Sequence, residues 1–377
     1  MSPGVGRVRR ALDHQYAAAL TVCAGALVAL TWSAISPTSY RRSISTSWFA
    51  GRDVNAHAIV ANGVMTIFFA AVGLELSREL RFNLRRHLRA SLSPLLGAVG
   101  GMAATALGSV LLGEAWHSAT LRRGWGVPMA TDIAFTLGVL AIAGTRVPAP
   151  LRIFLLTLAI ADDVLSVIIL SVTGVTQVRG VGLLAIVVVA LAGVVLARRV
   201  DPAITFPFVL VAMWLAFAWS GIEPALSAVL AGLVTPVASN RTRHLEDLAT
   251  RWSTGIALPL FALVACGVSW RSLSLSGSLG KVIIATVIIR LLGKMLGIGA
   301  GVFLAGKLGS HRHKSLTPRI LLGATMLCAI GFTVPLLFAG AVFGSTSPTY
   351  SAYTVGLLVA SVIGAVAGVL TLRRAAR

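Results

Sequence analysis

The sequence predicts an all-α polytopic membrane protein with about twelve transmembrane helices, inverted-topology repeats and two broken helices. Two observations carry the class. Apolar runs of about 20 residues, the length that crosses a bilayer as a helix, recur along the whole chain. Only 12% of the 377 residues are charged against 56% hydrophobic, and the mean hydropathy is +0.88. A soluble domain carries about twice that charge.

The spans read, in order, 16–36, 56–76, 90–112, 124–144, 151–173, 181–197, 203–219, 222–237, 254–270, 280–304, 319–341 and 351–372. A tight turn near Gly221 and Pro224 joins the seventh and eighth. Residues 1–377 thus form one membrane domain, with 1–15 and 373–377 as short ends outside it. The first apolar run lacks a clear small-residue cleavage site and reads as a span, not a signal peptide.

The net charge of +20 would suggest nucleic acid in a soluble protein. Here the basic residues lie almost wholly between apolar runs, so topology explains them and no nucleic-acid partner is implied. Most of them fall on the termini and the alternate loops that share their side. Both termini are therefore expected in the cytoplasm. The strongest contribution is SRELRFNLRRHLR, residues 77–89, a topology anchor that also favours anionic lipid. Cys23, Cys266 and Cys328 lie in or at the edge of apolar runs, which gives neither a disulfide framework nor a metal cluster. The seven histidines sit near span ends or in loops, which argues against a transition metal at the bilayer centre.

Topology does not explain Asp132, Asp162, Asp163 and Lys294, which lie near the middle of spans, with Arg290 one turn before Lys294. Each costs about 2.5–3.5 kcal/mol at the centre of a bilayer. One Asp–Lys pair would account for part of this set, but not for three acids. A polar pathway at the midplane is the better reading. Its oxygen chemistry suits a small hard cation, by extension from the hard divalent ions. Adjacent helical residues point about 100° apart, so Asp162 and Asp163 cannot approach one ion from the same direction.

Two runs are also interrupted. GVPMATDIAFTLG (126–138) and AIGFTVPLLFAG (329–340) place Gly, Thr and Pro in mid-span, and share IAFT and IGFT. Freed backbone groups are tolerated at such depth only where protein or a water-filled cavity satisfies them. The two segments run in opposite directions, as in an inverted repeat. The glycine pairs 97/101, 293/297 and 364/368 read as close helix packing.

ATDIAFTLGVL, AIADDVLSVIIL, the IRLLGKMLGI run around Lys294, CAIGFTVPLLFAG and GLELSREL together resemble the NhaA-type sodium/proton antiporters. The resemblance covers nearly the whole chain in one order. It implies a transporter of the inner membrane, not an enzyme, that exchanges cytoplasmic sodium, and lithium, for external protons without a cofactor. It implies that Asp163 is the main sodium ligand and a proton carrier. Asp162 then binds the ion or pairs with Lys294, and Thr131 and Asp132 sit at the break of the fourth span, where the resemblance implies that two broken helices cross at the midplane. Asp132 would balance positive N-terminal helix ends and Lys294 negative C-terminal ends, as helix dipoles require. Glu75, Arg78, Glu79 and Glu246 match a cytoplasmic cluster linked to pH response. Residues 37–55 match a periplasmic hairpin used in homodimer contacts. Glu223, Asp247 and Thr250 stand where histidines are common in the family, Asn62 where an Asp is usual, and Pro335 where a small polar residue is expected.

Two rivals follow from the same residues. A sodium-coupled symporter of related fold would need a larger set of mid-span polar groups for its organic solute. An intramembrane aspartyl protease could use Asp132 and Asp163, but it has no place for Lys294 and the usual GxGD-type context is absent.

Overall fold

The computed structural model describes residues 20–48, 54–79, 88–132, 135–136, 138–140, 148–173, 179–236, 239–268, 277–310 and 316–375. Among these residues there is no strand. The helices are α1 (Leu20–Ile35), α2 (Pro37–Ser45), α3 (Ala56–Arg78), α4 (Leu88–Ala115), α5 (Ala119–Arg123), α6 (Ala149–Thr173) and α7 (Gly180–Arg199). They continue as α8 (Pro202–Ser220), α9 (Pro224–Val234), α10 (Asn240–Ala265), α11 (Ser278–Lys307), α12 (Pro318–Leu327), α13 (Thr333–Phe343) and α14 (Pro348–Ala375). Eight of these, α3, α4, α6, α7, α8, α10, α11 and α14, are long and apolar enough to cross a membrane. The protein is a multi-pass membrane protein.

The helix ends follow from local chemistry. Asp201 caps α8 through the Ala203 N–H at 2.9 Å, with Pro202 in the first turn, where its missing N–H costs nothing. Gly221 ends α8 with φ 85, a left-handed conformation that a side chain would strain. Ser239 and Thr242 form a capping box at the start of α10. Thr317 caps α12 ahead of Pro318.

The chain divides into two compact units. The first comprises Met1–Thr38, Arg89–Ser166 and Ala265–Arg377. Its seams are built on glycine: a Cβ on Gly297 would overlap the Gly100 carbonyl, and one on Gly368 would meet the Leu327 side chain. The predicted pairs 97/101, 293/297 and 364/368 all lie in such seams. An apolar core with Leu155, Leu158, Ile298, Leu327 and Ile330 lies within this unit. The second unit comprises Ser39–Leu88 and Val167–Val264. There α3 and α9 touch backbone to backbone: a Cβ on Gly73 would lie 2.6 Å from the Val229 carbonyl oxygen.

Helix ends are tied to one another in both units. In the second unit Arg78 bonds Glu246 at 2.8 Å and Arg241 bonds Asp201 at 2.8 Å, joining ends expected to share one side. The Arg179 N–H donates to the Ser220 carbonyl at 3.1 Å on the other side. In the first unit the Tyr350 hydroxyl donates to Ala265 at 2.8 Å, again joining ends assigned to one side.

The structure sets limits to these expectations. The interruption expected in 319–341 falls at 328–332, which are non-helical: α12 stops at Leu327 and α13 starts at Thr333. Residues 124–132, expected to begin the fourth span, are likewise non-helical, and 141–147 fall outside the described residues. Of the hairpin expected at 37–55, residues 49–53 fall outside the described residues, and the stretch opens on a helix. Pro37–Ser45 is a helix because Tyr40 and Ile44, one turn apart, bury a common face, and the Tyr40 hydroxyl donates to Leu263 at 2.8 Å. The Trp48 N–H then bonds the Val54 carbonyl at 2.9 Å. Residues 80–87 of the basic 77–89 stretch, 269–276 and 311–315 lie outside the described residues.

Candidate cation site

The first unit holds five expected residues: Thr131, Asp132, Asp162, Asp163 and Lys294. Asp162 and Asp163 lie on α6 at 0% and 2% exposure. Helix geometry turns them about 100° apart. Asp162 takes the ion pair: the Lys294 ammonium donates to both its oxygens at 2.9 Å, and both side chains are fully buried. The Thr131 backbone N–H also donates to Asp162. Such a pair offsets the desolvation of two charges only where both are well hydrogen-bonded, as Asp162 is here. Lys294 follows directly on a π-helical turn, Ile289–Gly293, which shifts the register of α11 just before the ammonium.

The two interruptions meet edge to edge. The Asp132 N–H donates to the Ile330 carbonyl at 2.9 Å, and the Thr131 hydroxyl donates to Cys328 at 2.9 Å. The rings of Phe135 and Phe332 pack edge to face, with centroids 5.7 Å apart. These contacts satisfy backbone groups that lipid could not.

Asp132 sits where two helical segments begin. Its carbonyl accepts from the Thr136 N–H at 3.0 Å, and its Oδ1 from the Phe135 N–H at 3.4 Å. Its Oδ2 accepts from the Thr333 hydroxyl, at the first residue of α13, at 3.1 Å. A carboxylate there meets the positive ends of both helices.

Lys294 is on Asp162. The carbonyls at the other ends of the interruptions are met by Arg290, which is 0% exposed. Its guanidinium donates to Ala329 at 3.0 Å, Pro128 at 3.1 Å and Ala130 at 2.8 Å. Sequence reasoning noted Arg290 but gave it no role. The available signal was a second in-span cation one turn before Lys294. Ser166 was missed as well. It stands one turn after Asp162, is 3% exposed, and its hydroxyl has no hydrogen-bond partner among the described residues.

The expected pH-response residues belong to the second unit. Arg78 bonds Glu246 at 2.8 Å and approaches Glu75 at 4.0 Å. Glu79 is helical, and its side chain lies outside the described residues. Of the family departures, Asn62 accepts the Trp214 indole N–H on its backbone carbonyl at 2.9 Å, and Pro335 is buried within α13. Among the described residues no group of His, Cys, Asp and Glu could hold a metal in a cluster, and the three cysteines are free.

Buried charges set at chain interruptions in a multi-pass membrane protein define a class that handles ions within the bilayer. Comparison with known proteins narrows the class. The family model described as Na+/H+ antiporter 1 matches residues 9–372. The chain is 36% identical over 335 residues to "Na(+)/H(+) antiporter NhaA 2" of Novosphingobium aromaticivorans, covering 85% of this chain and 83% of the relative. It is 36% identical to "Na(+)/H(+) antiporter NhaA" of Escherichia coli strain K12 (83% and 82%) and 32% identical to that of Glaesserella parasuis (83% and 81%). The chain belongs to the NhaA family of Na+/H+ antiporters.

Proposed function

We propose that the protein is a secondary active transporter that expels cytoplasmic sodium, and lithium, in exchange for external protons. It works by alternating access at a midplane aspartate site, with two protons entering per sodium. The observation that carries this reading is the buried Asp162–Lys294 pair beside Asp163, set against two chain interruptions in a family of antiporters. In this reading the chain has twelve spans, the interruptions are two broken helices of an inverted repeat, and both termini face the cytoplasm of the inner membrane. Anionic lipids surround the basic cytoplasmic loops, and residues 37–55 contribute to a homodimer. Glu75, Arg78, Glu79 and Glu246 tune the pH response. No cofactor is involved, and the activity is transport, not catalysis.

The mechanism is competition for one set of oxygens. Asp163 is the main sodium ligand, and Thr131 and Asp132 complete the polar surroundings. An alkaline cytoplasm strips protons from the site and lets sodium bind. The loaded site turns outward, protons displace sodium, and the site returns. Adjacent buried acids titrate as a coupled set. If Asp163 and the Asp162–Lys294 pair each release one proton per ion, one net charge crosses per cycle. The membrane potential then contributes about 2.3 kcal/mol per 100 mV.

The direct test uses purified protein in detergent and weakly buffered solution. Sodium added at alkaline pH should release protons, and Asp163→Asn should abolish the release. Sodium binding without proton release, together with sodium-driven uptake of a labelled organic solute, would favour the symport reading instead.

A further inference from the structure

We propose that Arg290 is the positioning residue of the site: it holds the carbonyl ends of both chain interruptions and leaves Lys294 to work with Asp162 alone. This rests on the antiport reading above. Three observations carry it. The first is donor geometry. A guanidinium has five N–H donors in a rigid planar fork, and Arg290 spends Nε, Nη1 and Nη2 on three carbonyls of two different segments. A lysine ammonium is a compact point charge and cannot span that set.

The second is space. A Cβ at Gly331 would overlap both the Arg290 guanidinium and the Ala130 carbonyl. The second interruption therefore carries no side chain at the point where the guanidinium passes. The Gly331 N–H is held on the Ser361 hydroxyl at 3.3 Å, which fixes that backbone against the guanidinium.

The third is division of labour. The negative carbonyl ends need a cation, and the Lys294 ammonium is committed to both oxygens of Asp162. A lysine can lose its proton when its environment favours the neutral form, whereas an arginine in a protein does not. With the carbonyl ends held by a permanent charge, the Lys294–Asp162 pair can open and give up a proton while the interruptions stay in register. Arg290 acts on the cation through its neighbours. Ala130, which it holds, directly precedes Thr131, whose N–H donates to Asp162, and Asp132, whose carboxylate meets α13.

The test compares Arg290→Lys, which keeps the charge and loses the fork, with Gly331→Ala, which pushes the guanidinium out. Both are made singly and together and read two ways. In detergent, each single variant should lower Tm, and the double variant should fall no further than the worse single, because both break one contact set. In proteoliposomes, each should raise the sodium KM about tenfold while Vmax changes less, the scale of one charged hydrogen bond lost from the site. Additive losses of Tm would overturn the shared clamp. A wild-type KM in folded, inserted Arg290→Lys would overturn the positioning role. If the unmutated protein moved no protons on sodium addition, the antiport reading would fail instead, and the clamp would stand or fall on the additivity of Tm alone.

Discussion

Asp162 and Asp163 share a helix but not a direction. Asp162 is committed to Lys294, and in the proposed mechanism Asp163 is the exchanging ligand. Ser166, on the same helix, brings a buried hydroxyl close to both in sequence. We predict that Ser166→Ala raises the sodium KM about two- to tenfold without loss of folding, the worth of one hydrogen bond or ligand contact. Unchanged kinetics would remove Ser166 from the site. Asp132, Asp162, Asp163 and Lys294 were legible in the sequence because charge in an apolar run has a known cost and so needs a reason. Ser166 was not, because a serine in a span carries little cost and no direction. The work of Arg290 was hidden for another reason. Its partners are the backbone carbonyls of residues 128, 130 and 329, and no side-chain pattern announces a carbonyl that tertiary structure has freed.

At the scale of elements, the seams between helices are set by absent side chains. Gly73 on α3 and Gly232 on α9 lie so close that either Cβ would enter the other helix's backbone. Gly73→Ala should destabilise the protein by about 1–3 kcal/mol through overpacking, read as a lower Tm in detergent. The start of α8 answers to pH. The Ala203 backbone N–H, with the Arg241 guanidinium, holds the Asp201 carboxyl below its ordinary range. A depressed native pKa gives stability that is present above the unfolded value and lost as pH falls through the native one. Asp201→Asn keeps a cap acceptor but loses the charge, so its Tm should lie below wild type at neutral pH and converge with it on acidification. A constant gap would contradict the assignment. The long apolar helices were legible from run length alone. The split of residues 319–341 was legible as an interruption, but its limits at Leu327 and Thr333 were not, because they depend on the contacts between the two interrupted segments. The helix at Pro37–Ser45 was missed because its apolar face is only Tyr40 and Ile44.

The whole molecule is a strongly basic chain, and the proposed topology sorts its charge by side. Its twelve acids all lie at or before Asp247, so the remainder carries basic residues alone. The paired ends Arg78–Glu246 and Asp201–Arg241 put three connecting regions of the second unit on one face. Single cysteines at Arg199 and Arg243 should react with an impermeant thiol reagent only from the cytoplasmic side, and one at Ser347 only from outside. The reverse pattern would invert the topology, although the site would keep its internal geometry. The family was legible from ordered motifs across the chain. The effect of Glu223, Asp247 and Thr250 at positions where histidines are common was not, because a missing titrating group shows itself only in a pH profile.

The measurement that bears most directly on the account is made in inside-out vesicles holding a proton gradient, with sodium added across a pH series to wild type and to Asp163→Asn. The account predicts a sodium-dependent loss of the gradient in wild type, strengthening as the medium becomes alkaline, and none in the variant. No response at any pH from folded, inserted wild-type protein, or an undiminished response from Asp163→Asn, would contradict it.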